Sequence, residues 1–233
     1  MTNPIPVQIF ENQLPQMQAT LREIVELESP STNKPSLDRL GKRLVEMLEP
    51  LNPDIKIENQ LLAGDNIVAS WPDINGDTDR GFLILCHFDT VHALGMLSKN
   101  PVRVSDGKMY GPGIIDMKAS ITQVIFALQT LRDNDRWPTS PITLLLTSDE
   151  EVGSESSRPL IESLGQNADL VLCMEPALPD GELKTARKGV ARFDVITKGR
   201  ASHSGAAHED GVNAIEEMAH PVSYTHLTLP TKA

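Results

Sequence analysis

The run "ITLLLTS" (Ile142–Ser148) enters Asp149, Glu150 and Glu151 without a break. A strand that is apolar at nearly every position has no face to offer water. It belongs inside a sheet covered on both sides, the setting of mostly parallel α/β sheets. Two further segments have the same character, "FLILC" before His87 and "DLVLCM" before Glu175. Amphipathic helical patterns fill the intervals. Met17, Leu21, Ile24 and Val25 share one helical face, and so do Leu37, Leu40, Leu44, Met47 and Leu48, with Ser36 placed to cap that second helix and Pro50 and Pro53 to end it. Ile121, Val124, Ile125, Leu128 and Leu131 mark a longer helix starting near Asp116. Shorter strand-like runs, "IKIENQ" and "NIVASW", precede the turn-rich "PDINGDTDRG". The pattern predicts an α/β fold: a mostly parallel mixed sheet flanked by helices on both faces.

Near Lys188 the pattern changes. "GVARFDVITKGRASHSG" alternates like a half-exposed strand, and "GVNAIEEMAH" reads as a helix. This predicts a domain over 1–188 and the start of a smaller α+β unit over 189–220. In 221–233 Pro221 is expected to break the helix, and the threonine-rich remainder has no core pattern; it reads as a non-native tail, with a real disordered tail as the alternative.

Composition excludes some functions. A formal net charge of -11 argues against nucleic acid, which requires a basic face. No apolar run approaches a membrane span, and the N-terminus lacks the basic start and apolar core of a signal peptide. A cytoplasmic setting is expected. Cys86 and Cys173 lie within apolar runs and read as buried hydrophobes, too occluded for catalytic thiols.

The chemistry gathers where the apolar strands end: His87 and Asp89, then Asp149 to Glu151, then Glu175, with Asp116 after the glycine turn "YGPGIID". In open α/β sheets ligands bind beyond the carboxyl ends of strands. Taken singly, each residue has a plainer reading. His87 alone is a satisfied polar side chain, Asp89 a turn residue, Asp116 a helix N-cap. The acidic run alone is a solvated loop. Together they form a set of imidazole and carboxylates that suits zinc, and a cation relieves the cost of gathering desolvated carboxylates. Asp89 is placed to take the other ring N–H of His87. "RASHSG" sets Ser202, His203 and Ser204 together, a weak signal for a serine hydrolase because catalytic triads meet through the fold.

In order and spacing, "CHFDTV", "YGPGIIDMKAS", "TSDEEVGS", "CMEPA" and "KGRASHSGA" resemble the superfamily of co-catalytic zinc amidohydrolases that includes glutamate carboxypeptidase, acetylornithine deacetylase and succinyl-diaminopimelate desuccinylase, with the glutamate carboxypeptidase branch most similar. The resemblance implies two zinc ions, with cobalt or manganese as alternatives. Asp116 would bridge them, His87 and Glu175 would complete one, and Glu151 would bind the other. Glu150 would be the general base and acid, with Asp89 supporting His87. His203 would come from a lid and dimerisation domain to steady the oxyanion in a neighbouring subunit, which implies a homodimer. The implied reaction is hydrolysis of an amide or peptide bond next to a free carboxylate, in a small peptide or N-acyl amino acid. Members of the superfamily are longer and supply a further histidine ligand that nothing here replaces. The chain therefore reads as an N-terminal fragment, inactive as written. Two alternatives stand beside the enzyme: a non-catalytic metal-binding module or degenerate homologue, and a plain acidic interaction domain. The retained Glu150 favours the enzyme.

Overall fold

In the computed structural model, residues 4–73, 75–77, 80–186, 189 and 194–225 are described, and they fall in two compact units, Met1–Leu183 and Lys184–Ala233. The expected boundary after residue 188 falls at a position outside the described residues.

The first unit opens with helices α1 (Val7–Glu26) and α2 (Lys34–Leu48). Each buries the stripe its periodicity marked: Leu21, Ile24 and Val25 from α1, and Leu37, Leu40, Leu44 and Leu48 from α2. The cap of α2 is Asn33 rather than Ser36. The Asn33 side chain accepts the Ser36 amide at 3.0 Å, and Pro35 occupies the first turn, where a missing N–H costs nothing. Ser36 lies buried within the helix.

Strands β1 (Asp54–Glu58), β2 (Asn66–Trp71) and β3 (Phe82–His87) follow. A short helix α3 (Met96–Lys99) and a hairpin of β4 (Arg103–Ser105) and β5 (Lys108–Tyr110) lead to a π-type turn, Ile114–Lys118. Then come α4 (Ala119–Asp133), β6 (Ile142–Thr147), α5 (Arg158–Asn167) and β7 (Leu170–Cys173). The five-stranded sheet has the order β1-β2-β6-β3-β7. β2 pairs antiparallel with both β1 and β6, whereas β3 pairs parallel with both β6 and β7. It follows that β2 alone runs against the other four, so the sheet is mixed and mostly parallel.

Alternation along the strands splits the core in two. Leu144 and Leu146 of β6 join Ile84 and Cys86 of β3 in the large core under α1, α2 and α4. Leu145 and Leu83 turn the other way and pack with Val68 against Leu160, Ile161 and Leu164 of α5. β6 is therefore buried at every position, as its sequence requires. β7 is not. Leu170, Val171 and Leu172 are each 40–48% exposed, and Cys173 is exposed rather than buried. An apolar run does not reveal whether its strand is central or at an edge, and β7 is at the edge.

The second unit contains α6 (Ala214–Thr225), which continues through Pro221 instead of stopping there. A proline removes one backbone donor, and the helix runs on past that single lost bond. The half-exposed strand expected before it falls partly on residues outside the described set. Residues 194–199 form no strand, and one isolated bridge pairs Arg200 with Val212. Among the described residues no helix is long and apolar enough to cross a membrane.

Candidate metal centre

Register brings the first donors level. Parallel pairing sets His87 opposite Thr147 and Leu85 opposite Cys173. Two residues on from Cys173, Glu175 draws abreast of His87, and its Oε1 lies 3.4 Å from the His87 Nε2. Asp116 arrives from the turn before α4. Gly113 begins that turn at φ 68°, where a Cβ would stand 2.5 Å from the Thr90 methyl, so glycine is required on both counts. Asp116 has extended rather than helical backbone angles, and α4 proper starts at Ala119. Its carboxylate does not cap the helix; Oδ1 lies 2.9 Å from the His87 Nε2.

The His87 ring is buried and has two differently furnished nitrogens. Nδ1 faces two oxygens of Asp89, the carbonyl at 3.2 Å and carboxylate Oδ1 at 3.3 Å. That fixes a hydrogen on Nδ1 and leaves Nε2 aimed at the acids. Asp89 is fully buried, and its carboxylate is shared four ways. Besides His87 it accepts the Ser31 hydroxyl at 2.7 Å and the backbone amides of Glu150 and Glu151, each at 3.2 Å. One carboxylate thus sets the His87 ring and the turn that bears both glutamates.

The three consecutive acids after β6 divide. Asp149 turns inward, 2% exposed, and its Oδ2 accepts the amides of Ser156 and Ser157 and the Ser156 hydroxyl. It ties the loop down. Glu150 and Glu151 occupy a short 3-10 turn and face the donors on β3, the Asp116 turn and the segment after β7. Two sets of donor atoms close enough to share an ion result: His87, Glu150 and Glu175, and His87, Asp116 and Glu151. His87 belongs to both. By distance alone Glu150 falls into the first set.

The electrostatics are those of a site short of positive charge. Burial raises the Glu150 pKa, His87 lowers it, and Glu175, Asp89 and Asp116 raise it further. Glu151 is raised by burial and by Asp116. Burial would depress the His87 pKa, yet hydrogen bonds to Asp89 and Glu175 outweigh it and lift the value to about 11. The imidazolium supplies charge that the carboxylates demand. A divalent ion at Nε2 would supply more of it and displace that hydrogen, so the nitrogen and oxygen donors fit a metal of the zinc type.

Residues 83–232 match the profile of peptidase family M20/M25/M40. The chain is also 35% identical over 215 residues to carboxypeptidase G2 of a Pseudomonas species, covering 91% of this chain and 51% of that relative. The chain belongs to peptidase family M20/M25/M40. Acetylornithine deacetylase of Edwardsiella ictaluri is 29% identical over 227 residues, 92% of this chain and 56% of the relative. The M20 chain thus spans about half the length of these curated relatives. Its fold is similar to that of human carnosine dipeptidase 1, with a TM-score of 0.63 and 20% identity over 73% of this chain and 40% of that one. An M20 family metallo-carboxypeptidase of Sulfolobus solfataricus gives 0.59 and 23% identity over 71% and 39%.

Several residues packed around this cluster carry no sequence signal of their own. Ser31 reaches Asp89 across 58 positions. Met117, buried, places its sulfur 3.1 Å from the His87 amide. Lys118, 1% exposed, donates to the carbonyls of Ile24 at 2.9 Å and Leu27 at 3.0 Å. Burial, only partly offset by Glu28, pushes its pKa down to about 7. A lysine two places after Asp116 reads as an exposed charge, and only the packed structure reveals what it holds. Cys86 is no nucleophile, since burial raises its thiol pKa strongly. In the second unit the His203 ring takes the amides of Gly205 and Ala206 on Nδ1, not a serine hydroxyl, so the weak serine-hydrolase signal receives no support.

Proposed function

We propose that this M20 chain carries the metal-binding part of a zinc-dependent hydrolase that cleaves an amide or peptide bond next to a free carboxylate, in a small peptide or an N-acyl amino acid. The observation that carries the reading is His87 Nε2, ringed by carboxylates from three separate segments, with Glu150 beside them. His87 and Glu175 would hold one zinc ion and Glu151 the other, with Asp116 shared; cobalt or manganese are alternatives. Such a pair polarises a scissile carbonyl and acidifies a water.

The chain's own residues would do the rest. Glu150 takes the proton of the attacking water and hands it to the leaving amine, so the acyl carbon gains a hydroxyl and the nitrogen a hydrogen. A raised pKa suits that alternation, because a base that must also act as an acid works best nearer neutrality. Asp89 keeps His87 oriented and holds the Glu150–Glu151 turn in place. His203, in a lid and dimerisation unit starting near residue 189, would donate to the oxygen of the tetrahedral intermediate in a neighbouring subunit. Residues beyond about 220 take no part in this reading. The second reading, a metal-binding module without catalysis, draws on the grouping of Glu150 with His87 and Glu175, which would make it a ligand rather than a base.

The test has two arms. Metal analysis of the chain should find zinc bound, with binding lost in His87→Ala. A version extended to the length of its relatives should hydrolyse N-acyl-glutamate and fail on the same compound with its α-carboxylate amidated. Metal binding without turnover in the extended version would favour the non-catalytic module, and absence of metal would sink both readings.

A further inference from the structure

Two histidines of this chain, His87 and His203, are wired in opposite senses. His87 points Nδ1 at two oxygens, which fixes a hydrogen on that nitrogen. His203 does the reverse. Its Nδ1 lies 3.2 Å from the amide nitrogen of Gly205 and 3.1 Å from that of Ala206. A backbone amide can only donate, so Nδ1 must accept from both and carries no hydrogen. The ring folds back over its own turn, a loop that the Ala207 amide closes onto the His203 carbonyl at 2.9 Å.

From this we infer that the "SHSGA" turn locks His203 as the neutral Nε2–H tautomer, so that the side chain presents one fixed hydrogen-bond donor and takes a carbonyl or anionic oxygen, not a metal ion. Metals bind the ring nitrogen that lacks a hydrogen. Here that nitrogen is Nδ1, and two amides already occupy it. His203 therefore offers no free ring nitrogen to a metal ion. It is ready to donate, and the amides of Gly205 and Ala206 are the positioning groups that make it so. This deepens the donor role proposed for His203 and rests on that reading for its catalytic meaning. The tautomer itself does not depend on it.

Nitrogen-15 NMR of the full chain, labelled at histidine and recorded at mildly alkaline pH, reads the tautomer directly, with His203→Asn to assign the ring signals. The expected result is one acceptor-type Nδ1 and one protonated Nε2. Gly205→Ala should leave the signals unchanged, since the added Cβ would lie 3.8 Å from the ring, an ordinary contact. Gly205→Pro removes one of the two amide donors and should shift the ring toward a mixture of tautomers. A mixture in the unmodified chain, or a hydrogen on Nδ1, overturns the inference. The catalytic meaning is read separately in the extended, active protein. The amide of glutamine reaches the place of Nε2, whereas that of asparagine falls near Nδ1. His203→Gln should then keep turnover within about tenfold while His203→Asn loses about 10²–10³-fold, the usual effect of deleting an oxyanion donor. Equal losses in the two variants would remove the donor role while the tautomer stood.

Discussion

Two layers of acids meet at the carboxyl edge of the sheet, and they are built differently. The lower layer is Asp89 and Asp149, both buried; both oxygens of Asp89 and the Oδ2 of Asp149 accept from backbone amides and serine hydroxyls. The upper layer is Asp116, Glu150, Glu151 and Glu175, gathered around His87 Nε2 and partly open to solvent. A buried carboxylate with several donors is already neutralised locally and serves as a fastening. Burial and the neighbouring carboxylates raise the pKa of Glu150 and of Glu151, a crowding that a cation would relieve. The contrast sets carboxylates that fasten the fold apart from those placed to share an ion.

Breaking the upper layer at Glu150 should have the largest effect. In the extended, active protein Glu150→Gln keeps the shape and removes the proton acceptor, so turnover should fall by about 10²–10⁴-fold with metal content unchanged. Loss of metal instead would make Glu150 a ligand, as its distance grouping with His87 and Glu175 allows. Asp89→Ala strikes the joint between the layers. Removing a buried charge from its hydrogen-bonded partners should destabilise the chain by about 3 kcal/mol. It should also weaken metal binding by about 10–100-fold, because His87 loses its orienting group. Calorimetric titration with zinc would read the second effect, and unaltered affinity would confine Asp89 to the fold.

Asp149→Ala tests the lower layer alone. The Ser156 and Ser157 amides lose their acceptor, and stability should drop by about 1–3 kcal/mol in a denaturant titration while zinc affinity stays within experimental error. A change of affinity comparable to that of Asp89→Ala would erase the distinction between the layers. The smallest effect is expected from Ser31→Ala, about 1 kcal/mol of stability and a slight weakening of zinc binding, since Asp89 keeps its other donors.

The two layers were unequally visible in the sequence. The upper one could be read because parallel strands end together, and chemistry-bearing residues that follow apolar runs therefore share an edge; the α/β class followed from the same runs. Asp89 could be placed as a partner of His87, two residues away. Its grip on the Glu150 and Glu151 amides could not, because backbone contacts across some sixty positions leave no periodicity. Asp149 could not be told from the two glutamates beside it; all three are acids after a strand, and only the turn decides which one faces inward. Asn33 outcompeted Ser36 as a cap for a local reason, the proline between them. β7 looked like β6 on paper because hydrophobicity reports what a strand can bury, and its edge place leaves that capacity partly unused.

Lys118 gives α1 a second identity. Its ammonium terminates the helix by binding the carbonyls of Ile24 and Leu27, and the same residue closes the turn that presents Asp116. The first helix is thus not an outlying layer that could be exchanged freely. Trimming or loosening it strands a buried lysine beside a metal-competent aspartate, and the disturbance reaches the rim before it reaches the sheet. Residues more than ninety positions upstream of Lys118 act as part of the hinge pin of the Asp116 turn.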